Sequence, residues 1–244
     1  MRKIKWYLLT LLLALLPSVT HAYTQGEVVK HDGCYYKVID LANFYVSIIG
    51  TDDAVAGHLT VPGTFDDDKG TTFTVTEVGG DESYKCKNVT SVTLPETVVK
   101  LQSSSFAGAS LTDVSIPKSV KWIVHTAFYD LQAKPKFTVD AVNQFFSSDA
   151  DGCLYSKDKK EFYSAPSALN PAGGTYNIHE SVEKIYSDAF LKVAGLKKLV
   201  FPKNLQDVEL GYPSVTPTDD IEEFAIAGGG TTEYRVIDGV LFKN

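Results

Sequence analysis

The stretch from Asn88 to Phe128, NVTSVTLPETVVKLQSSSFAGASLTDVSIPKSVKWIVHTAF, states one pattern twice. Pro95 and Pro117 stand 22 residues apart, as do Phe106 and Phe128. The first copy places Val89, Val92, Leu94, Pro95, Val98, Leu101 and Phe106 where the second places Leu111, Val114, Ile116, Pro117, Val120, Ile123 and Phe128. A fixed period of this size marks a solenoid, in which one short unit is stacked on the next.

The pattern has a direct physical reading. Val92 and Leu94, like Val114 and Ile116, alternate with polar residues, which describes a short strand with one buried face. Proline cannot donate to a ladder, so it ends the strand and turns the chain. Val98 and Leu101 then point back inward, and Phe106 fills the centre of the coil. No unit buries that apolar face alone, so the strands stack in parallel and leave one sheet face open. Two further copies lie downstream. One gives Leu196, Leu199, Phe201, Pro202, Leu205 and Val208, with Tyr212 near the aromatic position. The other keeps Tyr176, Ile178, Val182, Ile185 and Phe190 but has His179 where the rest have proline. The step from turn to aromatic is 11 residues at Pro95–Phe106, Pro117–Phe128 and His179–Phe190.

The units SLTDVSIPKSVKWIVHTAF and TYNIHESVEKIYSDAF resemble the leucine-rich repeats of the BspA-like family of bacterial surface proteins. In that family a strand ending in Ile-Pro is followed by a Ser-Val step and closes on Ala-Phe. Ala127-Phe128 and Ala189-Phe190 match the closing pair, and Ser105-Phe106 departs from it mildly. DGCYYKVID from Asp32, GHLTVPGTF and TVTEVGGDESYKCKNVTSVTLP are similar to the N-terminal part of such proteins. The resemblance implies a mainly β, right-handed leucine-rich-repeat solenoid with short parallel strands, a β-rich N-terminal cap and inserted β-hairpins. It also implies adhesion at a cell surface, with host extracellular proteins or other microbes as partners.

Residues 1–22 read as a signal peptide rather than as part of the fold. Arg2, Lys3 and Lys5 precede an apolar run from Trp6 to Leu16, and Thr20-His21-Ala22 offers small residues at a cleavage site. The apolar run is short for a bilayer span, so no stable membrane insertion is expected after cleavage. The chain from Tyr23 would then be exported to the periplasm, the cell surface or the medium. Removing three of the 23 basic residues leaves 20 against 30 acidic ones, a charge of −10. That balance argues against nucleic acid and anionic membrane as partners.

Residues 23–87 read as a β-rich cap with an irregular first repeat. Val28–Val29, Cys34 to Val38 and Phe44 to Ile49 alternate around turn signals at Asp32-Gly33 and Gly50. His58 to Pro62 resembles a degenerate repeat strand, with Phe73 and Val75 in its return. Residues 88–244 hold the repeats. Within them, Asp151-Gly152 opens CLYSKDKKEFYSAP, which predicts a hairpin near 151–165, and Asp238 to Phe242 reads as the first half of another.

The three cysteines, Cys34, Cys86 and Cys153, show no CxxC spacing and no companion histidines, which disfavours zinc. Buried free thiols and a Cys34–Cys153 bridge both fit that spacing. His31, His58, His125 and His179 are scattered, and GxSxG, P-loop and dinucleotide motifs are absent from the sequence. FDDDKG at 65–70 and the group Asp219, Asp220, Glu222 and Glu223 are acidic, yet they lack the alternation of a calcium loop. No cofactor and no catalysis are expected.

The chemistry expected is recognition. On the open face the strand residues not used by the core are Ser91, Thr93, Asp113, Ser115, Lys198 and Val200, which would form adjacent rows facing a macromolecular partner, foremost a protein. A glycan surface using Tyr155, Phe162 and Tyr163 of the inserted hairpin is the alternative.

Overall fold

The computed structural model describes residues 23–209, 221–231 and 233–244. The expected signal segment 1–22, Tyr212 and the acidic pair Asp219–Asp220 lie outside the described residues.

The chain runs β1 (Val28–His31), β2 (Cys34–Asp40), β3 (Tyr45–Thr51), β4 (Gly57–Thr60), β5 (Thr64–Asp66), β6 (Thr72–Val78) and β7 (Val89–Thr93). The repeats continue with β8 (Lys100–Leu101), β9 (Asp113–Ile116), β10 (Trp122–Ile123) and β11 (Lys136–Val139). A break in period brings β12 (Phe146–Ser148), β13 (Leu154–Ser156) and β14 (Glu161–Ser164). Then come β15 (Thr175–Asn177), β16 (Lys184–Ile185), β17 (Lys198–Phe201), β18 (Asp207–Val208), β19 (Glu223–Ile226), β20 (Tyr234–Ile237) and β21 (Val240–Lys243). Among the described residues, helix is confined to one 3-10 turn, Ala172–Gly174.

Each repeat contributes one strand to each of two sheets. The longer first strands stack in parallel as β4-β7-β9-β11 and, further along, as β15-β17-β19. The two-residue second strands β8 and β10 stack on the longer β6, and β16 and β18 stack on β14. The turn between them is the same in five coils. The carbonyl of the strand-ending residue accepts from the amide three residues on: Pro95 from Val98 at 3.1 Å, Pro117 from Val120 at 3.3 Å and Pro202 from Leu205 at 3.2 Å. His179 does the same for Val182 at 3.0 Å, and Asp140 for Asn143 at 2.9 Å. Proline favours this corner, and the corner forms without it.

The predicted inward positions are the core. Val92, Val98, Leu101, Phe106, Val114, Val120, Phe128, Val182, Ile185, Phe190, Leu199 and Leu205 are all buried. Apolar burial at ~25 cal/mol per Å² gives each large side chain roughly 1.5–3 kcal/mol. The core falls into two clusters. The first runs from Tyr23 to Leu154, and the second from Cys153 to Tyr234.

Both clusters open on antiparallel strands. β1, β2 and β3 form a meander whose last strand pairs in parallel with β6, and β12, β13 and β14 form a second whose last strand pairs in parallel with β16. The hairpin expected near 151–165 is therefore not an appendage, because its second strand is also the first strand of a solenoid sheet. At the end of the chain Asp238-Gly239 is the turn of a hairpin already formed with the preceding strand β20, rather than the opening of its first half. The reason is local: both residues take positive φ, 50° and 78°, the geometry that reverses a two-residue hairpin.

Candidate interaction surface

The site is built by register. In β4-β7-β9-β11 the residues His58, Ser91, Asp113 and Lys136 are partners across the four strands, and so are Thr60, Thr93, Ser115 and Thr138. Alternation sends the intervening Leu59, Val92, Val114 and Phe137 into the core. Two polar rows thus run along the stack, one residue per coil. The second block repeats the arrangement on β15-β17-β19, with rows Thr175–Lys198–Glu223 and Asn177–Val200–Ala225.

All six residues expected on the open face lie in these rows. Thr93, Asp113 and Ser115 are exposed, while Ser91, Lys198 and Val200 are half-buried. Ser91, Thr93, Asp113 and Ser115 share one sheet; Lys198 and Val200 belong to the other. Sequence reasoning missed His58, Lys136 and Thr138 at the ends of the first rows. His58 was legible from HLTVP, and Lys136 from its 23-residue offset to Asp113, had Asp140 been read as a replacement for the strand-ending proline.

The rows are cross-linked in ways that set their chemistry. His58 bridges two coil positions, with Nδ1 2.8 Å from Ser91 Oγ and Nε2 3.1 Å from Thr93 Oγ1. Thr112 Oγ1 donates to Asp113 Oδ2 at 2.7 Å, fixing that carboxylate at the surface. In the second block Lys198 Nζ sits 2.5 Å from Glu223 Oε1, a half-exposed pair whose net contribution to stability is small. This is a surface of short hydroxyls with two carboxylates, Asp113 and Glu223, and two amines, Lys136 and Lys198. It can exchange hydrogen bonds along an extended partner.

Other sequence candidates resolve differently. Tyr155 and Phe162 are 1% and 0% exposed, so they are core residues and cannot meet a glycan; Tyr163 is half-buried. They face inward because β13 and β14 close the end of the second core, with Tyr155 and Phe162 edge to face at 4.9 Å. The Tyr155 hydroxyl donates to Asp149 Oδ2 at 2.8 Å, and burial pushes its acidity well below that of an ordinary tyrosine. Cys34, Cys86 and Cys153 are free and buried, and they form no bridge. Burial pushes each thiol up, Cys86 to about 12. In the FDDDKG loop Asp67 Oδ1 accepts from the amides of Lys69 and Thr71, at 2.9 and 2.7 Å, and so shapes its own turn. Among the described residues no group of three or more His, Cys, Asp or Glu side chains could hold a metal ion, and no helix is long and apolar enough to cross a membrane.

No curated protein matches the chain. Among solved structures, the pneumococcal vaccine antigen PcpA is similar at 19% identity, over 83% of this chain and 71% of that one, with a TM-score of 0.46. A leucine-rich repeat protein from Eubacterium ventriosum is similar at 16% identity, over 75% and 68%, with a TM-score of 0.37. One from Bacteroides ovatus is similar at 14% identity, over 81% and 78%, with a TM-score of 0.35. The profile described as the BspA type leucine rich repeat region matches in 6 copies, over residues 72–157 and 172–224, which is more than half of the chain. With the repeat, the corner and the two stacked sheets all in place, the chain belongs to the BspA type leucine rich repeat family.

Proposed function

We propose that the chain is an exported, non-enzymatic interaction module that binds a macromolecular partner, foremost a protein, through the outward rows of β4-β7-β9-β11 and β15-β17-β19. The observation that carries this reading is the register of those rows. Residues one coil apart are held as neighbours across parallel strands, so a row of exposed side chains meets an extended partner with little ordering left to do. Repeat solenoids use such surfaces for protein binding. Adhesion to host extracellular proteins or to other microbes is the biological form we infer, in keeping with the N-terminal segment that reads as a signal peptide.

Two measurements test the reading. Immobilised chain is titrated with extracellular-matrix proteins and defined microbial surface proteins, and the binder is then titrated against the triple variant Asp113→Ala, Ser115→Ala, Lys198→Ala. We expect a loss of at least about tenfold in affinity. Undiminished binding by the triple variant would remove the face assignment. Export predicts that protein recovered from outside the cytoplasm begins at Tyr23, which intact-mass measurement reads directly; protein starting at Met1 there would contradict it.

A further inference from the structure

The second sheet carries a feature that the repeat does not require. Five residues after the strand-ending residue, the chain presents an outward side chain on this sheet: Lys100 after Pro95 and Trp122 after Pro117. Because β11 pairs in register with β9, Asp140 is the next strand-ending residue, and its coil places Phe145 at the same step. Trp122 is 57% exposed and Phe145 45%. Two large rings thus stand in water on successive coils, at a position where Lys100 serves the fold equally well.

Next to them the coil stacking gives way to the meander β12-β13-β14, and the step leaves a cleft of about 480 Å³. Lys121, the neighbour of Trp122, lines it from the first block, with Phe145 and Tyr163 beside it and β16 and β18 beyond. Below it the aromatic rings are fixed in place. Tyr163 and Tyr186 lie 4.7 Å apart and both donate to Glu161 Oε2, at 2.8 and 3.0 Å. His125 of the first block stacks on Tyr186 at 5.7 Å with 9° between the planes, and the Lys184 ammonium sits 4.6 Å from the same ring.

The charges of the cleft largely answer one another. Lys160 pairs with Glu183 at 2.7 Å, and Lys184 with Glu209 at 2.7 Å and Asp207 at 3.7 Å. An ionic ligand therefore finds no block of charge of one sign. Each pair still keeps lone pairs and N–H groups for a hydroxyl. Ring faces beside a rim of mixed donors and acceptors match one chemistry closely: a pyranose has an apolar C–H face and an equatorial edge of hydroxyls.

We propose that this cleft binds an extended, neutral pyranose chain, with Trp122 and Phe145 as stacking platforms and the Lys184, Gln206 and Asp207 side chains meeting its hydroxyls. The site lies on the second sheet and involves none of the residues of the open-face rows.

The test is calorimetric titration of the chain with neutral hexasaccharides of β-linked glucose, N-acetylglucosamine and mannose. At least one should bind saturably with a Kd below ~1 mM. Trp122→Ala and Phe145→Ala should each weaken it about tenfold or more without moving Tm, since both rings are exposed; Tyr129→Ala, an exposed aromatic outside the cleft, should leave it intact. The proposal is overturned if none of the three saturates by ~10 mM, or if the double variant Trp122→Ala, Phe145→Ala binds as well as the parent. An extracellular-matrix protein whose binding the double variant loses, with every hexasaccharide silent, would replace the glycan by a protein and overturn it equally.

Discussion

Asn143 shows how a single residue can close a stack. Val98 and Val120 sit three residues after their prolines and point into the core; Asn143 sits three after Asp140 and is equally buried. Its Nδ2 donates to the carbonyls of Pro117 and Val120, at 2.9 and 3.0 Å, while its Oδ1 accepts from the amides of Phe145 and Phe146, at 2.8 and 2.9 Å. It ties the last regular corner to the start of the meander. Asn143→Val keeps the size but abandons four hydrogen bonds, and we expect a loss of ~2–4 kcal/mol in urea unfolding. Lys134 is the other buried polar residue of consequence. Its ammonium donates to the Asp188 carbonyl, its backbone amide to Ser167 Oγ at 2.8 Å, and nearby Lys192 Nζ donates to the Leu131 carbonyl, so two lysines and a serine join the two blocks. Burial pulls the Lys134 amine down to about 7, with Asp188 opposing and Lys192 assisting. The folded chain releases that proton near pH 7, whereas the unfolded chain holds it to about 10.5. Stability from this group therefore rises with pH across that window, by at most ~1.4 kcal/mol per pH unit, and the burial cost is fully present below pH 7. Asp188, pushed up by burial, works in the opposite sense at acid pH: its contribution falls as pH climbs out of the ordinary carboxylate range. Unfolding curves from pH 7 to about 8, below the range where the three buried thiols begin to oppose it, should show the rise in the parent and its absence in Lys134→Met. The inward phenylalanines and valines were legible because they repeat. Asn143 and Lys134 were not, because each meets partners tens of residues away that periodicity does not mark.

The corner is the element that makes this sequence a solenoid. Five strand-ending residues, three prolines with His179 and Asp140, make the same turn, so the corner is set by the residues beyond it: an inward side chain at three and a second strand at five. His179→Pro should accordingly be tolerated and should raise stability by ~0.5–1 kcal/mol through the unfolded chain, read as a higher Tm. Gly79 marks a corner with no such tolerance. It leaves β6 at φ 83°, its amide donates to Ile48 at 2.8 Å, and an added Cβ would stand 2.7 Å from the Ser103 carbonyl oxygen and 2.9 Å from the Ser105 amide. Gly79→Ala meets both left-handed strain and backbone contact, and should lower Tm sharply. Strand positions were legible from two-residue alternation, and the first hairpin turn from Asp32-Gly33, whereas Asp238-Gly239 was read as opening a hairpin that it closes. The open-face rows were half legible: Ser91, Thr93, Asp113 and Ser115 followed from period, while Lys136 was hidden by an aspartate in the proline position. The assignment of Tyr155 and Phe162 to a surface failed because a strand that closes a core has two neighbours to satisfy, and sequence displays only one.

Across the whole molecule, the division into two apolar clusters that meet at Cys153–Leu154 governs how the chain responds to damage. In a solenoid each unit touches its neighbours, so a loss should stay near its origin. Leu199→Ala, at a site 1% exposed, should cost ~2–5 kcal/mol. Hydrogen exchange should then speed up in β15–β19 while the amides of Val92 and Val114 keep their protection; equal acceleration in both blocks would mean one cooperative unit. The departure from period between the second and third clear repeats was legible in the sequence, but as an inserted hairpin and not as a division of the core. Also hidden was that β14 both closes a meander and starts a sheet, since that depends on a parallel pairing to β16 formed across the intervening segment that carries β15. The three buried thiols acquire a use from this layout. Cys34 lies in the first meander, Cys86 in the turn just before β7, and Cys153 where the second cluster begins, each protonated and shielded in the folded chain. A thiol-directed dye would mark each one only during an opening of its own neighbourhood, so the chain carries three native clocks, and the order in which they run gives the sequence in which its coils come apart.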